Sequence, residues 1–202
     1  MATISYLGLA NIRPHGYSLR LVANTFVHRS EHSGSTRTLT VPGSRWRFTA
    51  EYRALNQVQQ GIAMGWLAAL EGQGGRFFGF PLQRDWPIGT CRAVGATASG
   101  VGTVLATSFS ATGLGANVTL LPGDFFSISG YLYVITALMT ASGAGVGLLF
   151  FKPGLRVAHA PGVALTFYRP SATFKLLSDD LGLSYRMANM ADMSIDAEEA
   201  FV

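Results

Sequence analysis

The stretch of residues 45–87 constrains the fold more than any other, since a strand, a helix and a second strand follow one another there. Its first part alternates strictly, with polar residues on one face and four apolar residues on the other: Trp46, Phe48, Ala50 and Tyr52. Alternation with a period of two is the pattern of a strand that is buried on one face. We therefore predict a half-buried strand over residues 46–54.

A helix is predicted directly after this strand, over residues 56–71. Asn56 is a preferred N-cap residue, and the glycines from Gly72 to Gly75 are typical of a helix end. Gly61 and Gly65 lie four apart on a neighbouring face, which permits the close approach of another backbone. Apolar residues at helical spacing predict one buried stripe, made of Val58, Ile62, Trp66, Leu67 and Leu70. The next segment, residues 76–80, is predicted as a strand that packs against the helix.

The composition changes beyond a loop bounded by Pro81 and Pro87. Charged residues become rare between residues 89 and 160, and Gly, Ala, Ser and Thr are frequent. Short strands separated by turns predict a small barrel or sandwich. The predicted turns are Pro122-Gly123-Asp124, Ser129-Gly130 and the Gly-rich residues 142–145. The uncharged segment 132–151 has a Gly-rich centre, so two strands and a turn describe it better than a membrane helix. The predicted strands are residues 91–96, 104–108, 117–121, 125–128, 132–138 and 147–151.

Together these patterns predict an α+β chain that is mostly β. We expect a β-sandwich with one packed helix, plus an inserted small all-β barrel-like domain. Residues 1–87 are assigned to the sandwich with its helix, residues 88–162 to the inserted domain, and residues 163–202 to strands that return to the first domain. Within the first domain, residues 17–28 and 37–41 are predicted to form a hairpin with a polar tip.

Charge is distributed unevenly along a chain whose net charge is +4. Residues 1–53 carry seven arginines and two glutamates, whereas residues 179–202 carry six acidic residues and one arginine. This polarity suits head-to-tail pairing between copies or with partners, and it equally suits pairing of the two ends within one sheet. The arginines are spread out and are not clustered with aromatic residues, so no nucleic-acid recognition is predicted.

The sequence contains no recognisable catalytic or metal-binding motif. His28 and His32 are four apart, but they bracket a predicted turn and not a helix. Cys91 is the only cysteine, which excludes an internal disulfide. The acidic residues lack the glycine-containing loop that calcium sites need: Asp179, Asp180, Asp192 and Asp196. We therefore expect a protein that is not an enzyme and has no catalytic residues, no cofactor and no metal.

The aromatic residues around the proline-bounded loop are the remaining candidates for a site. A tryptophan flanked by Arg and Asp is a frequent interface anchor, whereas Trp46 and Trp66 are predicted to pack in the core. The predicted interface residues are Arg45, Arg47, Arg84, Asp85 and Trp86.

Several of these segments resemble distal tail proteins, the tail-tip and baseplate adaptors of long-tailed bacteriophages and prophages. The matching residues are Arg45-Trp46-Arg47-Phe48, Tyr52-Arg53, Trp66-Leu67 with Leu70, Gly72–Gly75, Phe78-Gly79-Phe80 and Asp85-Trp86-Pro87. A second set is similar to small β-modules inserted in phage tail and baseplate proteins. It comprises Leu121–Ile128, Tyr133-Val134 and Gly145–Arg156.

The resemblance implies a structural virion protein that is made in the host cytoplasm and lies at the tail tip. In that family the N-terminal domain forms a ring, commonly a homohexamer, that joins the tail tube to the central hub. The implied partners are further copies of the chain, the tail tube protein, and the hub or tape-measure protein, without membrane insertion. Two alternatives remain open: another tail part (tube, terminator or head–tail joining protein), and a carbohydrate-binding β-module.

Overall fold

The computed structural model describes residues 3–5, 12–180, 182–186 and 189–201. One α-helix, α1 (Gln57–Leu70), lies within these residues, and strands make up most of the remaining regular structure. The strands are β1 Thr3–Ser5, β2 Gly16–Val22, β3 Thr25–Arg29, β4 Thr36–Thr40, β5 Arg45–Leu55, β6 Arg76–Gly79, β7 Thr97–Ala98, β8 Ser108–Thr112, β9 Thr119–Leu120, β10 Phe125–Ile128, β11 Tyr131–Ile135, β12 Met139–Thr140, β13 Gly147–Lys152, β14 Leu165–Thr166, β15 Ala172–Leu176, β16 Ser184–Arg186 and β17 Met190–Glu199.

Seven of the described strands form the largest sheet, in the order β1-β6-β15-β17-β5-β2, with β16 paired to β17. The central strand β5 confirms the predicted alternation. Its buried residues are Trp46, Phe48, Ala50 and Tyr52. They pack with α1 and with the inward residues of β15 and β17 in one core. The opposite face of β5 is polar.

Helix α1 starts where the sequence predicts. The Asn56 side chain accepts a hydrogen bond from the Gln59 amide, and the Gln59 side chain accepts one from the Asn56 amide, each at 3.0 Å. This reciprocal pair satisfies backbone donors that a helix N-terminus leaves free. The buried face consists of Ala63, Trp66, Leu67 and Leu70.

The predicted apolar stripe is therefore wrong in its first half. Val58 and Ile62 are 72% and 42% exposed, because the sheet covers the opposite side of the helix. Within the described residues, no other backbone lies close to Gly61 or Gly65, although their spacing permits it. A Cβ built at either glycine meets nothing within 4 Å in the part of the chain that the structure describes.

The predicted N-terminal hairpin is present, but it is a separate two-stranded unit. Strands β3 and β4 pair with each other, and Ala23 and Asn24 interrupt the long strand that was predicted over residues 17–28. The turn between β3 and β4 is closed by the Ser30 amide, which donates to the Ser35 carbonyl at 2.9 Å. Every residue of both strands is exposed, so the hairpin projects from the body of the sheet.

The chain leaves the large sheet at Gly79 and returns at Ala172, and these two residues are direct cross-strand partners. Between them, six of the described strands form a second sheet in the order β14-β10-β11-β13-β8-β7. A bridge from Thr97 to Ala164 joins its two ends, which makes a nearly closed barrel. The barrel has its own aromatic core, including Phe109, Phe126, Tyr133, Phe151 and Phe167. The predicted fold class, α+β and mostly β with an inserted barrel-like domain, is confirmed.

Some strand boundaries differ from the prediction. Residues 91–96 and most of residues 104–108 are loops, and the corresponding strands β7 and β8 begin later in the chain. Leu105 has a φ of 69°, and this left-handed conformation ends an extended run. Strand β14, which the sequence analysis assigns to the segment returning to the first domain, pairs with β10 in the barrel. The return to the large sheet begins with β15.

The uncharged segment 132–151 contributes strands β11, β12 and β13, as strand and turn patterns predict. Among the described residues, no helix combines the length and apolar character that a membrane crossing requires.

Candidate interface surfaces

Three of the predicted interface residues lie in the loop that carries the chain from the large sheet to the barrel. Asp85 forms a bidentate ion pair with Arg169, in which Arg169 Nε is 2.7 Å from Asp85 Oδ1 and Arg169 Nη2 is 3.0 Å from Asp85 Oδ2. The hydrogen bond from Arg169 lowers the pKa of Asp85. Arg84 donates to the Gly123 carbonyl at 2.6 Å. These two charged residues therefore brace the loop within one chain.

Trp86 is half-buried and packs against Tyr168, with 4.8 Å between ring centroids. The Arg92 guanidinium lies 5.7 Å from the centroid of the Trp86 ring. Beside the two aromatic rings is a cleft of about 280 Å³, which Val94 also lines. Val94 is 87% exposed, so the cleft is open to solvent on the barrel surface.

Arg45 and Arg47 lie apart from this loop, on the polar face of β5. Their guanidinium groups contact Glu198 at 3.3 Å and 3.4 Å, and Lys175 contacts the same carboxylate at 3.1 Å. Burial acts to raise the pKa of Glu198, but the hydrogen bond and charge of Lys175 and the two arginine charges outweigh it, so the pKa is lowered. For these residues, the basic N-terminal region and the acidic C-terminal region pair within one sheet.

A buried ion pair that the sequence analysis missed joins the barrel to the large sheet. The Glu199 side chain is fully buried and contacts the Arg156 guanidinium at 3.1 Å. The same carboxylate accepts a hydrogen bond from the Trp46 amide at 3.2 Å, and burial raises the pKa of Glu199. Arg156 also donates to the Ser44 carbonyl. The sequence signal for a buried carboxylate was that the Glu198-Glu199 pair lies directly before the apolar residues Ala200 and Phe201.

One face of the projecting hairpin combines two apolar and two basic residues, which we call the hairpin patch: Phe26, His28, Arg37 and Leu39. Phe26 is directly opposite Leu39, and His28 is directly opposite Arg37. Phe26 and Leu39 are 63% and 64% exposed. Arg37 has no carboxylate partner among the described residues.

The outer face of α1 forms a second exposed apolar surface, which we call the helix patch: Val58, Gly61, Ile62, Met64 and Gly65. No residue of α1 is charged. Three exposed acidic residues follow near its C-terminal end, namely Glu71, Asp179 and Asp180, and we call them the acidic end. Within the described residues, none of their carboxylates forms an ion pair.

The sequence contained a signal for the helix patch that the sequence analysis did not use. From Gly61 to Leu70, α1 has no charged or amide side chain and is therefore apolar on every side, and one sheet covers only one side. Part of such a helix must therefore stay exposed or be covered by another chain.

No protein-family model matches this chain, and no curated protein matches it. Within the described residues, no three His, Cys, Asp or Glu side chains are grouped as metal ligands. The predicted interface residues form two separate groups, and the two apolar patches are additional to both.

Proposed function

We propose that this chain is a structural subunit of a phage tail tip, which assembles with copies of itself into a ring between the tail tube and the hub. The exposure of two apolar surfaces, the hairpin patch and the helix patch, carries the proposal. Large apolar surfaces that are exposed on a single chain are typical of subunits that associate. Both surfaces belong to the domain that the resemblance implies to be the ring former.

The positions of the motif residues support the same proposal. Trp46 and Phe48 form the buried face of the central strand, and the Asp85-Trp86-Pro87 segment carries the chain into the barrel. Gly79 lies against the Phe174 ring, where an added Cβ would be 2.8 Å from a ring atom. The motif residues therefore build one scaffold from a sheet, a helix and an inserted module.

In this proposal the protein has a structural role and catalyses no reaction. The large sheet and α1 form the ring, commonly a hexamer, and the barrel is displayed as an appended module. The tail tube protein contacts one side of the ring and the hub or tape-measure protein the other. The site of action is the virion tail tip.

Negative-stain electron microscopy of the purified protein, with mass measured by light scattering on the same sample, tests this proposal. We expect closed rings with the mass of about six copies, the commonest ring size that the resemblance implies. Labelled antibodies on virions should bind at the tail tip; labelling of the head–tail joint would favour a joining or terminator protein. A chain that stays monomeric at high concentration would contradict self-assembly.

The alternative of a carbohydrate-binding module has one observation in its favour, the open cleft of about 280 Å³ beside Trp86 and Tyr168. Paired aromatic rings at a cleft offer flat faces to a sugar. A monomer that binds a glycan saturably, and loses this binding on Trp86→Ala with the fold intact, would favour the alternative.

A further inference from the structure

We propose that the contact between neighbouring copies is head-to-tail, with the hairpin patch of one copy lying on the helix patch of the next. The inference rests on the proposed self-assembly and names the two surfaces that carry it. The occupant of each patch is a second copy of this chain.

The shapes of the two patches are complementary. Phe26 and Leu39 project side by side from a hairpin that stands away from the sheet. On the helix, Gly61 and Gly65 have no side chains, and the space above them is empty of other described atoms to at least 4 Å. Large side chains from another copy fit such a surface, because small residues allow close approach.

The charges of the two patches are also complementary. Arg37 is next to the apolar pair of the hairpin, and the acidic end is next to the helix patch. The C-terminal end of a helix carries a partial negative charge, which adds to the attraction for a cation. Arg37 and the carboxylates of Glu71 and Asp180 lack ion-pair partners within the described residues, so each can pair across a contact. The Asp179 carboxylate accepts a hydrogen bond from the Gln73 amide at 2.7 Å, which places it just beyond the C-terminal end of α1.

The positions of the patches favour a contact between copies. The hairpin leaves the ribbon of β2 and β5 at Val22 and Arg45, whereas α1 begins beyond Leu55, at the other end of β5. A strand of 11 residues spans about 36 Å. Different surfaces on one subunit make a heterologous contact, and such contacts close into a ring when the rotation between copies allows it.

Cysteine cross-linking tests the contact. Leu39→Cys and Ile62→Cys are prepared as separate variants of the full chain, mixed in equal amounts and oxidised; Cys91 is buried and serves as an inert background. We expect a disulfide-linked dimer in the mixture and none in either variant alone. The matched control pairs Ile62→Cys with Val101→Cys, which is 71% exposed on the barrel and should not link.

A charge reversal gives an independent test. Arg37→Glu and Asp180→Lys each place like charges across the proposed contact, and both positions are exposed. We expect each variant to self-associate about tenfold more weakly, with recovery to within about threefold of wild type when the two are mixed. Recovery occurs because, in an alternating ring, positions 37 and 180 carry opposite charges at every contact between copies.

The outcomes separate this inference from the proposed function. Wild-type rings without the cross-link, or without recovery on mixing, would overturn the hairpin-on-helix contact and leave the ring proposal standing. The cross-link without closed rings would support the contact and contradict the ring. A wild-type monomer that forms no cross-link would overturn both.

Discussion

Two tryptophans, Trp66 in α1 and Trp86 in the loop that enters the barrel, have different environments at the scale of single residues. Trp66 is 5% exposed and packs edge-to-face on Phe77, with ring centroids 5.1 Å apart. Trp86 is half-buried and packs on Tyr168 at a loop. Truncation of Trp66 opens a cavity in the core of the large sheet and α1, whereas truncation of Trp86 enlarges a cleft that is already open to solvent.

We expect Trp66→Ala to lower the free energy of unfolding by about 3–5 kcal/mol, the usual loss when a buried aromatic residue is truncated. Trp86→Ala should keep the fold and weaken assembly, as an interface anchor would. Thermal melting and light scattering of both variants check this. Equal losses of melting temperature would show that Trp86 is a core residue and that its interface assignment is wrong.

The lowered pKa of Glu198 predicts a specific pH dependence. A carboxyl group whose pKa falls on folding stabilises the fold above its ordinary pKa of 4.5, and this stability is lost as pH falls through the folded value. Glu198→Gln should therefore be less stable than wild type at neutral pH, with a difference that shrinks below pH 4.5. Denaturant titrations at several pH values measure it, and Glu31→Gln in the exposed hairpin turn is the matched control.

Asp124 shows how one carboxylate organises several elements. The side chain is fully buried and accepts backbone hydrogen bonds from Ile88 at 2.6 Å, Gly89 at 3.1 Å and Leu121 at 2.8 Å. It therefore connects the loop that enters the barrel to the turn between β9 and β10. The sequence pattern Pro122-Gly123-Asp124 predicted the turn but not these partners.

We expect Asp124→Ala to lower the free energy of unfolding by about 1–3 kcal/mol, because three backbone amides lose a buried acceptor. Asp124→Asn should lose less stability than Asp124→Ala but more than the control, since the amide oxygen still accepts a hydrogen bond while the NH₂ group faces a backbone donor. Urea denaturation measures both, with exposed Glu31→Gln as the control. A loss no larger than that of the control would show that Asp124 does not hold the loop.

At the scale of the whole molecule, two cores are joined by a few specific contacts. The barrel is inserted between the neighbouring strands β6 and β15, so the large sheet continues as if the insertion were absent. The Trp46 indole donates to the Leu132 carbonyl at 2.8 Å, and the pair of Arg156 and Glu199 lies in the same junction. These contacts hold the barrel on the face of the sheet that also packs α1. The hairpin patch and helix patch remain outside the junction.

The sequence by itself determined the local structure of this protein. The alternation in β5, the Asn56 cap and the Ser129-Gly130 turn each depend on interactions within a few residues, and the structure has all three. The order of the patterns was also sufficient for the fold class. Such features follow from backbone geometry and side-chain periodicity alone.

Only the tertiary structure decided which apolar and charged residues face solvent. Val58 and Trp66 belong to the same predicted apolar stripe of the helix, but the sheet covers Trp66 and leaves Val58 exposed. Arg45 and Arg47 meet Glu198 only because β17 returns beside β5 after the whole barrel has been inserted. Burial and charge pairing depend on partners distant in sequence, and a local pattern contains no information about which distant element will cover it.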